Sequence, residues 1–441
     1  MSKRFFIKTW GCQMNVYDSG RIADVLVAEG YERAADLAQA DVLILNTCHI
    51  REKASEKLFS ELGRMRLLQQ KRAALGEKLI LGVAGCVAQA LCAEIAARAP
   101  YVAMIFGPQT YHRLPQMLAQ IESQTQSVMD VEFPIQPKFD FLPHAQGQRG
   151  CAGFMAVQEG CDRFCSYCVV PYTRGAAYAR PVSALLDEAK LLVDQGVRDL
   201  TLLGQEVNAY KDEASGKGLA GLIEALALIK NLLRIRYTSS HPLGMDEALM
   251  VAHRDIPTLM NFVHLPVQSG ADCVLKAMNR HHTARDYRDL VEKMRGFCPD
   301  LALSSDFIVG FPSESDQDFE DTLALVRDVG FAQAFSFKYS ARPGTPAALM
   351  GGQIPEEIKE TRLQTLQKLL RAQQTSFNKD CLKKEMSVLI EGPSRREGFL
   401  FGRTVYMQTA YVKGDPSLIG AEVTARVIKA SPNSLEVEVV S

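Results

Sequence analysis

Apolar residues fall along this chain in three successive rhythms. Up to about residue 132, short apolar runs at 5–9, 42–46 and 79–84 alternate with amphipathic stretches at 19–29, 52–70 and 89–99. Runs of the first kind read as strands and those of the second as helices, so the pattern predicts βαβ units in an open parallel sheet. A stretch rich in Pro, Gln and Gly, with Pro134, Pro137, Pro143 and Gly147, then reads as a linker over 133–150.

The second rhythm predicts strands at 154–158, 199–203, 234–239, 262–266, 301–309 and 334–339, with helices at 182–195, 219–230, 284–295 and 316–329 between them. Six βα units are fewer than the eight of a closed barrel and predict a partial (β/α)6 barrel. Residues 355–384 read as one long amphipathic helix with Ile358, Leu363, Leu366, Leu370 and Phe377 on its apolar face. Five short strands follow at 387–391, 399–405, 411–412, 421–428 and 434–440, the pattern of a small OB-like β-barrel. The expected division is thus α/β throughout most of the chain: 3–132, a linker 133–150, 151–377, and a β domain 378–441.

Composition narrows the function classes. With 441 residues, 47% hydrophobic and 23% charged, the chain reads as a soluble globular protein of several domains. Met1-Ser2-Lys3-Arg4 leads straight into a strand pattern, and no apolar run reaches bilayer length, so a cytoplasmic protein without a membrane partner is expected. A net charge of −1 argues against a protein that coats nucleic acid over its whole surface. Local basic faces remain open: residues 51–78 carry eight Lys or Arg against four Glu, and Arg395, Arg396, Arg403 and Lys413 lie in the β domain. Either set could contact phosphate or simply solvate a surface.

The eleven cysteines point to metal or redox chemistry rather than disulfides. Cys161, Cys165 and Cys168 are spaced C-x-x-x-C-x-x-C, with Gly160 before them and Pro171 after, in a segment that reads as an irregular loop. No fourth cysteine or histidine is near, the next His being His241, so a closed structural zinc site is excluded. Three thiolates suit catalytic zinc with an open position, or an iron–sulfur cluster with one iron lacking a protein ligand. Buried inert thiols are the third reading. Cys12, Cys48 and Cys86 each follow one predicted strand of the first domain, and loops beyond the carboxyl ends of an open sheet converge, so a second three-cysteine site is expected. Cys92, Cys151, Cys273, Cys298 and Cys381 share no such pattern and read as structural. By the same strand-end rule Gln205, Asn208, Ser240, His241, Gln268, Ser269 and Asp306 become candidate site residues in the partial barrel. Neither G-x-x-x-x-G-K-[ST] nor G-x-G-x-x-G occurs, which leaves nucleotide hydrolysis and dinucleotide binding unsupported.

The cysteine loop, with Tyr167 before its last thiol, resembles the signature of radical S-adenosylmethionine (SAM) enzymes. Together with Lys8-Thr-Trp-Gly-Cys-Gln-Met-Asn15, Asn46-Thr-Cys-His-Ile-Arg-Glu52, Ala84-Gly-Cys-Val-Ala-Gln89, Val309-Gly-Phe-Pro312 and Tyr339-Ser-Ala-Arg-Pro-Gly-Thr-Pro346, it resembles the radical SAM methylthiotransferases over nearly the whole chain. Gly11-Cys-Gln-Met-Asn15 and Cys168-Val-Val-Pro-Tyr-Thr-Arg-Gly175 resemble the branch of tRNA-2-methylthio-N6-dimethylallyladenosine synthases. Two positions depart from the pattern: Glu206 stands where Asn is expected, and Gln158 where Met is more usual. A carboxylate only accepts hydrogen bonds, whereas an amide also donates.

The resemblance implies an N-terminal domain with an auxiliary [4Fe–4S] cluster on Cys12, Cys48 and Cys86, a radical SAM core with a [4Fe–4S] cluster on Cys161, Cys165 and Cys168, and a C-terminal RNA-binding TRAM domain. Gln205, Asn208, Ser240, Gln268 and Asp306 are the expected SAM-binding residues, while no catalytic side chain is singled out. The implied reaction is methylthiolation of C2 of N6-isopentenyladenosine beside the anticodon of tRNA, with two SAM consumed and electrons from a donor such as flavodoxin or ferredoxin. The same chemistry on threonylcarbamoyl-adenosine or on a ribosomal-protein aspartate stays open, as does a non-enzymatic iron–sulfur RNA-binding protein.

Overall fold

A computed structural model describes residues 2–49, 52–124, 126–145 and 150–440, without the side chains of 52–55. Ile50 and Arg51 of the second motif, Gly147 of the linker and the Lys53 side chain lie outside the described residues. The chain forms two compact units, Met1–Gln148 with Gly160–Asp162 and Val169–Ala177, and Arg149–Glu159 with Arg163–Cys168 and Tyr178–Ser441.

In the first unit β1 (Arg4–Trp10), α1 (Gln13–Ala28), β2 (Glu32–Arg33), β3 (Val42–Thr47), α2 (Glu52–Ala73), β4 (Ile80–Ala84), α3 (Cys86–Arg98), β5 (Met104–Phe106), α4 (Leu114–Gln124) and β6 (Val128–Asp130) follow one another. The six strands are all parallel in the order β2-β1-β3-β4-β5-β6. Every residue of β3 and β4 is buried, as a sheet covered on both faces requires. One face packs Ile22, Leu26, Phe106 and Met117, the other Leu58, Leu62, Val87 and Ile95. At about 1.5–3 kcal/mol for each such side chain taken from water, these two layers supply the main force holding the sheet between its helices. β2, β5 and β6 were not expected from the pattern, because two or three residues are too few to display an alternation.

The second unit contains six parallel strands in two runs. β7 (Ala152–Ala156), β10 (Asp199–Leu203) and β11 (Arg234–Tyr237) form one, and β12 (Phe262–His264), β13 (Ala302–Val309) and β14 (Gln333–Lys338) the other. Between β7 and β10 lie β8 (Gln158–Glu159), α5 (Val170–Arg174, which belongs to the first unit), β9 (Tyr178–Ala179) and α6 (Val182–Asp194). Helices α7 (Leu219–Ala227), α8 (Glu247–Asp255), α9 (Asp272–Ala277), α10 (Ala284–Phe297) and α11 (Asp316–Val329) fill the remaining crossovers, giving the expected partial (β/α)6 barrel.

The long helix is α12 (Glu356–Asp380). Leu366 and Leu370 are buried as expected, but Ile358 is 42% exposed, while Arg362 is buried and pairs with Glu314 at 2.7 Å and Asp316 at 2.7 Å. The helix ends four residues short of the expected boundary, and Lys383 just beyond it has φ +66°. β15 (Glu385–Pro393), β16 (Phe399–Thr404), β17 (Thr409–Lys413), β18 (Glu422–Ser431) and β19 (Ser434–Val439) then close a five-stranded barrel in the order β15-β16-β17-β19-β18.

This small barrel is docked at the amino ends of β10 and β11. Arg234, fully buried, donates to Glu422 at 2.8 Å, to the Arg403 carbonyl at 2.6 Å and to Ser387 Oγ at 2.7 Å. Arg236 donates to Asp199 at 2.9 Å and to the carbonyls of Thr404 and Val405 at 3.0 and 3.2 Å. Buried guanidiniums require such complete pairing, since their fixed fork of donors would otherwise lose water without replacement.

Candidate metal and cofactor sites

β1, β3 and β4 are neighbours in the sheet, so the residues just beyond their carboxyl ends are neighbours too. Cys12 caps the amino end of α1, Cys48 follows β3 directly, and Cys86 opens α3 after Gly85. Two glycines make the approach possible. A Cβ on Gly11, at φ +130°, would stand 2.7 Å from the Cys48 Cβ, and one on Gly85, at φ +89°, would stand 2.4 Å from Asn46 Oδ1. Only glycine fits either place, which explains the Gly-Cys pair at two of the three positions.

Asn15 and Asn46, both wholly buried, lace these loops together, and the Cys12 Sγ lies 3.3 Å from Asn15 Oδ1. The Cys12 thiol is drawn down to about 6, first by a hydrogen bond from Cys48 and then by the charge of Arg174, against the opposing effect of burial. Cys86 is pushed the other way by burial, with Arg174 partly offsetting it. Arg174 is itself buried and donates to Asp18 at 2.5 Å, while Lys138 stands 3.9 Å from the same carboxylate. A buried cation beside thiols favours their thiolate form, the form that ligates metal.

Gly160, at φ +76°, opens the second cysteine loop, and a Cβ there would lie 1.9 Å from the Ala176 carbonyl oxygen. Cys161 N donates to the Gly175 carbonyl at 3.2 Å. In the second unit, Cys165 is buried, Cys168 N donates to the Cys165 carbonyl at 2.9 Å, and Ser166 N donates to the Met278 carbonyl at 3.0 Å. Arg280 Nη1 lies 3.8 Å from Cys165 Sγ and its Nη2 donates to the Pro266 carbonyl. Tyr167 packs against Val274, Met278 and Phe311, and burial raises its phenol well above the ordinary range. Among the described residues, no group of three or more Cys, His, Asp or Glu side chains is drawn as close as a bound metal ion requires.

The remaining strand-end candidates take different roles. Asn208 is buried with its amide engaged at both ends by the backbone of His241: Nδ2 donates to the His241 carbonyl at 2.7 Å and Oδ1 accepts from His241 N at 2.8 Å. It clamps the loop after β11. Gln205 lies in the turn after β10, and Gln268 adopts φ +76° while its backbone joins β13 through Asp306 and Ile308. Asp306 Oδ2 stands 3.4 Å from His264 Nε2. Ser269 Oγ lies 3.3 Å from Thr322 Oγ1.

Ser240 Oγ, His241 Nε2, Arg280 Nε and His282 Nε2 are buried and have no hydrogen-bond partner among the described residues. The two imidazoles meet edge to face at 5.7 Å. Burial first, and then Arg280, lowers His241 to about 2 and His282 to about 4, so both rings are neutral at physiological pH. Buried polar atoms without partners call for a water or a ligand group to satisfy them, and four of them lie together here. Arg163, Arg280 and His282 were not singled out in the sequence, because none follows a strand directly.

Several side chains of the basic stretches have partners, and Lys57, Arg64, Arg66 and Arg396 among them stay exposed. Lys57 lies over Trp10, Arg66 over Tyr101, Arg64 pairs with Glu61, and Arg72 with Asp41 and Glu77. In the small barrel Arg403 donates to Met407 and Thr409, and Arg396 stacks on Phe399 and pairs with Glu436. Arg395 and Lys413 are exposed.

Three family models match in order: the uncharacterized protein family UPF0004 over residues 4–107, the radical SAM superfamily over 155–326, and the TRAM domain over 379–440. Among solved structures, the chain is similar to the radical SAM methyltransferase TsrM from Kitasatospora setae, solved with cobalamin and a [4Fe–4S] cluster. The identity is 14%, the TM-score 0.58, and the match covers 79% of this chain and 77% of that one. It is also similar to the cobalamin-dependent SAM radical enzyme OxsB, at 12% identity and a TM-score of 0.54, over 84% of this chain and 56% of that one. Likeness at these identities is one of fold. The succession of the three modules is the signature of the radical SAM methylthiotransferases and fits the family that the sequence resembles.

Proposed function

We propose that the protein methylthiolates C2 of N6-isopentenyladenosine, the purine next to the anticodon in tRNA, using two [4Fe–4S] clusters and SAM. The observation that carries this reading is the pairing of two separate three-cysteine sets: one behind the adjacent strands β1, β3 and β4, the other in the loop after β7 and β8. Three thiols in each set, and in the Cys161 set no fourth cysteine or histidine close in sequence, suit a cluster with one iron open for chemistry. Bound there, the cofactors would supply a carbon radical able to take hydrogen from an unactivated C–H bond, and a sulfur for transfer.

In this reading, Cys161, Cys165 and Cys168 hold the SAM-cleaving cluster, and Cys12, Cys48 and Cys86 the auxiliary one. Arg280 directs one donor at Cys165. Gln205, Ser240, Gln268 and Asp306 face SAM, joined by the unpartnered atoms of His241 and His282, whose neutral rings can donate or accept hydrogen bonds. Asn208 orients His241 rather than the ligand. Arg174 balances the thiolates of the auxiliary set while Asp18 holds it in place.

The proposed division is an auxiliary-cluster domain over 3–132, a linker 133–150, the radical SAM core 151–377 and the TRAM domain 378–441. TRAM binds the anticodon stem-loop, a flavodoxin or ferredoxin delivers electrons, and the enzyme works in the cytoplasm. No described helix is long and apolar enough to cross a membrane. Mass spectrometry of tRNA nucleosides from cells lacking the protein tests the substrate. Loss of the 2-methylthio form with accumulation of N6-isopentenyladenosine is expected. Loss of a methylthiolated threonylcarbamoyl-adenosine instead would move the assignment to that sister substrate.

A further inference from the structure

The loop between Cys161 and Cys165 is held at its middle by side chains outside the cysteine set. Arg163 donates through Nε to Glu206 Oε1 at 2.7 Å, and its Nη2 reaches the same oxygen at 2.6 Å. Glu206 is buried, with only 8% of its side chain exposed, and its own backbone N–H donates to Gln158 Oε1 at 3.1 Å. Gly204 makes room for that amide, since a Cβ there would stand 2.7 Å from Gln158 Oε1. From the other side, Asn279 Nδ2 donates to the carbonyls of Arg163 and Phe164 at 3.2 and 3.1 Å, and Phe164 takes φ +47°.

We propose that Gln158, Glu206 and Arg163 form one positioning unit that fixes the path of the cysteine loop ahead of Cys165. Gln158 sets the backbone at Glu206, Glu206 presents a carboxylate at the loop, and Arg163 ties the loop to it. The two positions at which the sequence departs from its family pattern are thus in direct contact, and the partner that gives the carboxylate a purpose is a loop residue. In place of an amide at 206 that could donate outward, this chain has an acceptor committed inward to Arg163. A buried carboxylate is costly without such a partner, so removing Arg163 strands Glu206.

The proposal rests on the cluster-loop reading for its purpose but not for its test. Hydrogen exchange of the metal-free full-length protein reads the loop through the Ser166 and Cys168 amides, both hydrogen-bonded. Glu206→Asn, one methylene too short to reach Arg163, and Arg163→Met are each expected to speed exchange at these two amides by about tenfold or more, and the double variant by clearly less than the two effects combined, because both single variants lose the Arg163–Glu206 pair. Glu206→Gln keeps an acceptor at the same reach and is expected to restore most of the protection. Leu202 in β10 should exchange as in the unaltered protein. Unchanged Ser166 and Cys168 exchange in the single variants, or effects that add in the double one, would overturn the unit. After reconstitution, the same variants should shift the electron paramagnetic resonance signal of the reduced cluster on SAM addition. If exchange responds as expected but the unaltered protein takes up no cluster, the strut stands and the proposed function fails.

Discussion

Asn15 and Asn46 interlock through their amides: Asn15 Nδ2 donates to Asn46 Oδ1 at 3.2 Å, and Asn46 Nδ2 donates back to the Asn15 carbonyl at 3.0 Å and to Ser19 Oγ at 2.8 Å. Asn46 is the last residue but one of β3, which leads to Cys48, and Asn15 lies in the first turn after Cys12. The pair therefore fixes the register of two cysteine-bearing loops from inside the sheet edge. Asn46→Ala strands the Asn15 amide where no water reaches it and is expected to cost about 1–3 kcal/mol. Denaturant unfolding of the metal-free protein checks this, and a loss within error of zero would show that the lacing is incidental.

Replacing Cys12, Cys48 and Cys86 together by Ala should remove one [4Fe–4S] cluster, while SAM cleavage to methionine and 5′-deoxyadenosine continues. No methylthiolated nucleoside should form. If the thiols only pack strand ends, the exchange would cost some stability and leave methylthiolation intact, so product formed at the normal rate by a folded triple variant defeats the assignment.

The reciprocal variant, Cys161, Cys165 and Cys168 to Ala, should retain the other cluster and lose SAM cleavage altogether. Iron and sulfide analysis of anaerobically reconstituted protein gives the count. Content sufficient for a single cluster in the unaltered protein would refute the two-site reading.

His253 is buried in α8, with Nε2 2.7 Å from the Tyr237 hydroxyl, and burial lowers it to about 4. Its ring stays neutral in the folded protein down to that pH, whereas in the unfolded chain it takes a proton near 6.5. Between those values the unfolded state binds more protons, so acidification from about pH 6.5 toward 4 removes stability, up to about 3 kcal/mol from this group. Below 4 its contribution levels off. His253→Gln should flatten this part of the stability profile, measured by urea unfolding at a series of pH values, and an unchanged slope would assign it to other groups.

Deleting the chain after Lys384 does more than remove the TRAM domain. Arg234 would lose Glu422, Ser387 and the Arg403 carbonyl, and Arg236 the carbonyls of Thr404 and Val405. Both guanidiniums would take water in exchange, and Phe262, Ala302 and Ala332 would lose the packing of Tyr406 and Met407, so the truncated protein should melt at a lower temperature. Charge reversal at the exposed Arg395 and Lys413 is the cleaner probe. It should leave stability within about 0.5 kcal/mol yet weaken tRNA binding and flatten its dependence on salt. Unchanged affinity would place the RNA contacts elsewhere.

Much of this molecule is written locally. The alternation of apolar runs and amphipathic stretches determined the parallel sheet, the six βα units and the five-stranded barrel, because side-chain periodicity is imposed by backbone geometry itself. The Cys161 to Cys168 spacing likewise limited the chemistry to an open three-thiolate site or inert thiols without help from the fold, and the family resemblance added the cluster. Only the tertiary structure decided what depends on neighbours distant in sequence. The strand order put β1, β3 and β4 side by side, and with them Cys12, Cys48 and Cys86. It brought Arg72 to Asp41 and left Arg64, Arg66 and Arg395 exposed, although all four read alike as basic residues. It committed Asn208 to the His241 backbone and paired Glu206 with Arg163 across 43 positions. Side-chain hydrogen bonds and ion pairs are set by where the chain returns in space, which a single sequence does not encode in any local pattern.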